Sequence, residues 1–333
     1  MDIERPGDLS NYLTQMAFST HDEAIRVQVL AGGVSNRTVL VTHANGEQWV
    51  IKQALDKLRV KADWFSDPTR IHREALALQS LGGLAPVGSV PALVFDDADR
   101  HIIGMQAVPQ PHENWKAMLL QGRLKLDYVA QFADWLGRVQ RDAPTRPGLR
   151  DRFSDRAFFE SLRLEPYYRY TANQVPAATA FLHTLIEDTL ARHDTLVHGD
   201  FSPKNVLIYK DKLVILDYEV IHWGDPAFDV GFALTHLLSK AHHLPQHRAA
   251  FATAAQHFWQ TYALQVDGLF GDLEQRAVRH TLACLLARVD GRSPLEYLSE
   301  AERQRQRSSV LRLMDHTPVD MLTLIQQLIS AYL

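Results

Sequence analysis

The chain has 333 residues, 46% hydrophobic and 22% charged, which is enough for two lobes around a sizeable core. A formal charge of −4 and a pI near 6.5 give no electrostatic footprint for nucleic acid or an anionic membrane surface. One cysteine, Cys284, excludes an intramolecular disulfide framework, and the acidic start MDIERPGDLSNYL has no signal-peptide core. The expectation is a soluble cytoplasmic protein, monomer or homodimer, with no run of membrane-spanning length.

In chain order, DLSNYLTQMAF (8–18) predicts a short helix with Asp8 or Ser10 as N-cap. AIRVQVLAGGVSNRTVLVTHANGEQWVIKQA alternates apolar and polar residues around a Gly-Gly and again around Asn45-Gly46. That pattern predicts strand, glycine turn, strand, tight hairpin, strand. PTRIHREALALQSLGG (68–83) puts Ile71, Ala75, Leu78 and Leu81 on one helical stripe and ends in glycines. VPALVFDDADRHIIGMQAV (90–108) reads as two strands around an acidic turn. The N-terminal third is therefore mostly antiparallel sheet with one main helix. A boundary is expected at Met105–Pro111, where strand gives way to Pro-rich chain.

From about residue 110 helical spacing dominates, over 126–142, 177–193, 229–243, 248–264, 273–289 and 319–333. Two short strands, 206–209 and 213–217, interrupt it around a Lys-Asp turn. This strand pair lies in LVHGDFSPKNVLIYKDKLVILDYEVIHWGDPAFD (196–229), which sets Asp200, Asp217, Asp225 and Asp229 beside Val, Leu and Ile. Carboxylates there cost desolvation energy unless a cation or hydrogen-bond donors meet them.

Read together, the order is a glycine turn between strands, Lys52 on the third strand, Glu74 on the following helix, then His198-Gly199-Asp200, Asn205 and Asp217. This resembles the protein-kinase-like superfamily, and most closely its aminoglycoside phosphotransferase, choline kinase and methylthioribose kinase branch. HGDFSPKN is similar to the branch's catalytic loop, LDYE to its metal-binding loop and GDPAFDVG to the segment after it, while GGVSN and IHREALALQSL match its N-lobe. The likeness runs from about residue 29 to 240; the remainder matches only as helices.

The resemblance implies an α+β bilobal fold, with an antiparallel-sheet N-lobe (1–107) and a larger helical C-lobe (108–333). It also implies ATP and Mg²⁺ as cofactors and a small hydroxyl compound as acceptor. Gly32, Gly33, Ser35 and Asn36 would cover phosphates, since glycine lets backbone N–H groups approach oxygens closely; alone, that segment reads better as a plain hairpin turn. Lys52, paired with Glu74, would hold the α- and β-phosphates, and Gln106 and Val108 of the inter-lobe linker would contact the nucleotide. Asp200 would orient the acceptor hydroxyl and take its proton. Asn205 and Asp217 would ligate Mg²⁺, which favours oxygen donors and keeps some waters. His198, Asp225 and Asp229 are expected to be structural, with Asp229 opening a helix.

The acceptor is expected near Tyr218, Glu219, His222, Trp223, Arg288, Asp290 and Arg292. Only eight steps separate Asp217 from Asp225, too few for a loop that seats a peptide. Ser202 stands where a protein kinase has lysine, with Lys204 nearby. Sixteen histidines include no His-Glu-x-x-His or Cys-His metal spacing. A sugar, polyol or amino alcohol fits the mixed charge of the acceptor stretch; an aminoglycoside-type antibiotic and a catalytically dead nucleotide-binding protein remain as alternatives.

Overall fold

The computed structural model describes residues 1–20, 23–30, 33, 35–59 and 64–332. Gly32, expected over the phosphates, lies outside them. The first helix, α1 (Pro6–Gln15), begins earlier than its sequence pattern suggests. Pro6 takes the first turn, where its missing N–H costs nothing, and Arg5 is an extended N-cap without a side-chain cap. Asp8 and Ser10 are therefore inside the helix, and Asp8 accepts the Asp2 N–H instead (3.1 Å).

A five-stranded antiparallel sheet follows, in the order β1 (Arg26–Val29), β2 (Asn36–Thr42), β3 (Gln48–Ala54), β5 (Ile102–Gln106), β4 (Leu93–Asp97). The β2–β3 turn closes with Gly46 at φ 87°, as the Asn-Gly pair requires. Alternation along β3 gives the sheet two faces. Trp49 and Ile51 pack with Leu9, Tyr12 and Leu13 of α1. Lys52 lies on the opposite face, beneath α2 (Arg70–Leu81). Gly104 opposes Phe95 across the sheet; a Cβ there would meet the Phe95 ring at 2.2 Å.

β5 ends at Gln106 and the chain re-enters regular structure at β6 (Glu113–Asn114), followed by α3 (Trp115–Leu120) and α4 (Leu126–Asp142). Short helices α5 (Leu149–Arg152) and α6 (Ala157–Phe159) lead into a π-helical stretch, Glu160–Arg169, and then α7 (Tyr170–Gln174). Pro166 sits inside the wide turns, where its missing N–H already breaks the α-helical ladder. Next come α8 (Thr179–Ala191), β7 (Thr195–Val197), the hairpin β8 (Val206–Tyr209) and β9 (Lys212–Ile215), and β10 (His222–Gly224). Five helices complete the chain: α9 (Ala227–His243), α10 (Arg248–Gln265), α11 (Leu273–Asp290), α12 (Glu300–Asp315) and α13 (Met321–Ala331). This is the α+β, protein-kinase-like architecture, with a sheet lobe above a helical lobe.

The main core does not stop at the linker. Ile71, Ala75 and Leu78 of α2 and Ile103 and Met105 of β5 belong to the same buried cluster as Trp115, Phe132 and Phe201. Within the helical lobe, α9 is buried on nearly every side between α10 and α11. Among the described residues no helix is long and apolar enough to cross a membrane.

Candidate active site

The catalytic-loop candidate (198–205) runs from β7 to β8, and β7 pairs antiparallel with β10, Val197 opposite His222. Gly199 turns at φ 77°, and a Cβ there would come within 2.9 Å of Val220, so the turn needs glycine. The carboxylate of Asp229, in the first turn of α9, accepts the N–H groups of His198 (2.7 Å) and Gly199 (2.8 Å) and the Gln140 amide (3.1 Å). Asp225 accepts the Ala227 N–H (3.0 Å) and pairs with the buried Arg276 (3.1 Å). Both carboxylates are thus spent on holding the backbone, although α9 begins at Ala227 rather than at Asp229. His198 accepts the Asp200 N–H at Nδ1 (3.2 Å), and burial keeps the ring neutral, pushing its pKa down to about 4.

Asp200 is only 2% exposed. Its Oδ2 takes the Arg163 guanidinium (3.0 Å), the Lys204 ammonium (2.8 Å) and the Asn205 amide N–H (2.8 Å). Its Oδ1 is buried and has no hydrogen-bond partner among the described residues. Burial alone would push this carboxyl up, but Arg163 and Lys204 hold it well below the usual carboxylate range. The result is an ionised carboxylate with one oxygen saturated and one bare.

The β8–β9 hairpin supplies the second half of the site. Lys210 and Asp211 both take positive φ at its turn, and its register pairs Val206 with Ile215. Asn205 and Asp217 therefore emerge side by side at the open end, where the Leu216 N–H bonds the Asn205 carbonyl (2.9 Å). Asp217 lies beyond the strand end and not within the strand, at φ 72°, a turn that only a few side chains tolerate. The Asn205 amide nitrogen donates to the Asp200 carbonyl (3.0 Å) and carboxylate (2.8 Å), so its amide oxygen takes no part in that contact.

Lys52 reaches down from β3 to Glu74 of α2 (2.8 Å to both oxygens) and lies 3.7 Å from Asp217. Burial disfavours the charge on Lys52, but Glu74, Asp217 and Glu219 together keep it protonated. Glu74, Asp217 and Glu219 each bring one carboxylate oxygen within 4.8 Å of the others, a hard-oxygen set of the kind Mg²⁺ takes. Glu74 is committed to Lys52, and Glu219 to Arg70 (3.2 Å), Ser35 (3.2 Å) and Asn36. Asp217, 30% exposed, is the carboxylate left for a metal.

Glu219 thus does not face an acceptor. It pins the end of the glycine turn to the helical lobe, and Arg70, fully buried, adds bonds to the Ser35 and Leu55 carbonyls. The side chains of Ser35 and Asn36 point at Glu219. Gly33 is exposed above it. Gln106 ends β5 with its amide on Glu47 (2.8 Å), and Val108, half-buried, follows in the linker.

The remaining acceptor residues need correction. Tyr218 has no exposed surface, and its hydroxyl donates to the Ile215 carbonyl (3.0 Å). Trp223 is 4% exposed with its indole N–H on the His193 carbonyl (2.9 Å), and His222 stacks on Phe159. All three are core residues: β10 pairs with β7 and carries His222 and Trp223 inward, while Tyr218 bonds back to the end of β9. Asp290 is bound by Arg307, and Arg292 is exposed over the Tyr170 ring (5.0 Å). Only Arg288 is buried with an unspent donor, its Nε.

Arg163 and Arg70 escaped the sequence reading. Arg70 was legible, since it precedes Glu74 by four residues and so shares a helix face. Arg163 was not: it sits in a π-helical stretch whose proline and polar residues break the 3.6-residue pattern.

A family model described as "Phosphotransferase enzyme family" matches residues 26–269. Methylthioribose kinase of Pectobacterium atrosepticum is 24% identical over 301 residues, covering 73% of this chain and 74% of that enzyme. The fold is similar to that of choline kinase from Cryptosporidium parvum, with TM-score 0.59, 10% identity, and coverage of 94% of this chain and 97% of that one. It is also similar to a choline/ethanolamine kinase family protein from Mesorhizobium loti, with TM-score 0.57, 13% identity and 98% of each chain covered.

Proposed function

The chain belongs to the phosphotransferase enzyme family, and from that premise we propose that it is an ATP-dependent small-molecule kinase transferring the γ-phosphate to a hydroxyl of a small metabolite. The observation that carries this reading is Asp200, held ionised by Arg163 and Lys204 while Oδ1 stays buried and unpartnered. An acceptor hydroxyl donating to Oδ1 satisfies that oxygen and aims its own lone pair at the phosphorus.

A carboxylate so stabilised is a weak base for a ground-state alcohol. That suits phosphoryl transfer through a loose transition state, where the hydroxyl proton becomes acidic late and positioning matters most. Lys52, fixed by Glu74, meets the α- and β-phosphates, and the segment around Gly33 covers them. Asp217 and the Asn205 amide oxygen would hold Mg²⁺, which supplies charge neutralisation on the β- and γ-phosphates when bound. Gln106 and Val108 border the nucleotide at the linker. The setting we propose is cytoplasmic, in keeping with the single, buried free cysteine, Cys284.

A polycationic aminoglycoside is disfavoured, because the groups flanking Asp200 are Arg163 and Lys204. The test is a metabolite screen with Mg·ATP, read by ATP consumption and by the mass of a phosphorylated product, with a generic protein included. A phosphorylated sugar, polyol or amino alcohol is expected. Labelling of the protein alone, or no Mg²⁺-dependent transfer to any compound, would overturn the proposal.

A further inference from the structure

Beside Asp200 lies a run of cations set among aromatic rings, beginning with its partner Arg163. Arg163 and Tyr167 lie four residues apart on the π-helical stretch, and Phe232, His236 and Lys240 follow one face of α9 at four-residue spacing. The Arg163 guanidinium stands 5.8 Å from the Tyr167 ring and 6.0 Å from Phe232; that of Arg288 stands 4.9 and 5.2 Å from the same two rings. The two arginines therefore flank one aromatic pair, and a continuous track leads from Asp200 to α11.

From Arg288 the track continues. One guanidinium nitrogen lies 3.4 Å from the His236 Nε2, and the Lys240 ammonium donates to the His236 carbonyl (3.1 Å) over the Tyr297 ring (5.4 Å). Lys240 has no exposed surface and no carboxylate partner among the described residues. The Arg288 Nε and the Tyr297 hydroxyl are buried without partners. The acids that could compensate are spent elsewhere, Asp290 on Arg307 and Glu296 on Lys116. His236 is kept neutral by burial and by four neighbouring cations, Arg288, Lys240, Lys204 and Lys116.

A buried ammonium with only a carbonyl and an aromatic ring for company is expensive, and a fold that needed only packing there would use Leu or Met. Resting on the kinase reading, we infer that the acceptor is a small polyhydroxylated acid, whose carboxylate or phosphate is held by Arg288 and Lys240 while a hydroxyl meets Asp200. The polar donors left over would all be satisfied by one oxyanion: the Arg288 Nε, the Lys240 ammonium and the Tyr297 hydroxyl. Burial pushes Lys240 down to about 7, and an anion beside it restores its charge, so binding takes up a proton near neutrality.

The experiment compares matched acceptors, D-glucose, D-glucosamine, D-gluconate and D-glucose 6-phosphate, with further sets of the same design, on wild type, Lys240→Met and Arg288→Gln. Wild type is expected to favour an acid over its neutral counterpart in kcat/KM by on the order of ten- to a hundredfold, the scale of a charge-assisted hydrogen bond. Gluconate against the sugar phosphate tells a carboxylate site from a phosphate site. Lys240→Met should erase the preference while raising Tm, since it removes an uncompensated buried charge. A lysine with only a structural role would give the reverse, a lower Tm and an unchanged preference. Equal or better use of the neutral or amino sugars by wild type would overturn the inference.

If Mg·ATP binds but nothing in the panel is phosphorylated, calorimetry with D-gluconate and inorganic sulfate decides. Binding to wild type that is lost in Lys240→Met sustains the inference, and binding that is absent or unchanged in the variant overturns it. Failure to bind Mg·ATP would instead count against the kinase reading, and the anion titration would then stand or fall separately.

Discussion

Asp200 and Asp229 are both buried, at 2% and 0% exposure, one on the His198–Gly199 turn and the other holding that turn from α9, yet they have opposite electrostatics. Asp229 is surrounded by neutral donors, two backbone N–H groups and one amide, and burial still pushes its carboxyl up to about 7. Asp200 has a guanidinium and an ammonium and is held far below the usual range. Neutral hydrogen bonds orient a buried carboxylate; full charges are what keep it ionised. Asp229 therefore serves as a clamp on the loop, and Asp200 remains a working anion with one oxygen in reserve. Asp225 is a clamp of a second kind, locked on the Arg276 charge, whereas Asp217 stays part-exposed, 3.7 Å from the Lys52 ammonium.

Substitutions can break or sharpen this division between working and clamping carboxylates. The largest effect is expected at Asp217→Asn, which removes charge with little change of shape. Mg²⁺-dependent turnover should fall by roughly a thousandfold or more, the several kcal/mol a ligated metal supplies, while urea unfolding stays close to wild type. Near-normal turnover with unchanged Mg²⁺ dependence would move the metal elsewhere.

On the clamping side, Asp225→Ala removes the fully buried carboxylate of Arg276 and leaves it only the part-exposed Asp194 and the exposed Asp272, so it should cost about 3 kcal/mol of stability by urea denaturation, the low end for breaking a buried pair. A loss under about 1 kcal/mol, the value of an exposed pair, would mean that Asp225 is no clamp. Smaller again is the coupling between Lys52 and Glu74. Each alanine variant should weaken ATP handling, and the double variant should cost about 1–3 kcal/mol less than the sum of the singles. Additive losses would show that the two act independently. The smallest effect is expected at Asn205→Ala, where water can replace a neutral ligand; the Mg²⁺ concentration for half-maximal rate should rise about tenfold. A loss as large as that of Asp217→Asn would make Asn205 an equal partner.

Much of this was legible in the sequence because it depends on order and short-range spacing. The alternation around Asn45-Gly46 gave the hairpin, the α2 stripe placed Glu74 under Lys52, and the Asp-x-x-x-x-Asn spacing followed by a strand pair placed Asn205 beside Asp217. What was hidden depends on distant contacts. Tyr218 and Trp223 look like acceptor-site aromatics beside a catalytic loop, but the β7–β10 pairing turns Trp223 into the core and the Ile215 carbonyl holds the buried Tyr218 hydroxyl. Arg163 is 36 residues from the Gly199 carbonyl it holds, and only the π-helical turns bring it to Asp200. Helix α12 was missed because its sequence is largely polar; its start is set by the Ser299–Glu302 capping box rather than by an apolar stripe.

The most direct measurement is the turnover of Asp200→Asn under saturating Mg·ATP, with nucleotide affinity read in parallel by calorimetry. With Asp200 as the group that positions the acceptor, Mg·ATP should bind about as tightly as in wild type while kcat falls by on the order of a hundredfold or more. An Asp200→Asn enzyme that turns over within a few-fold of wild type would contradict the account.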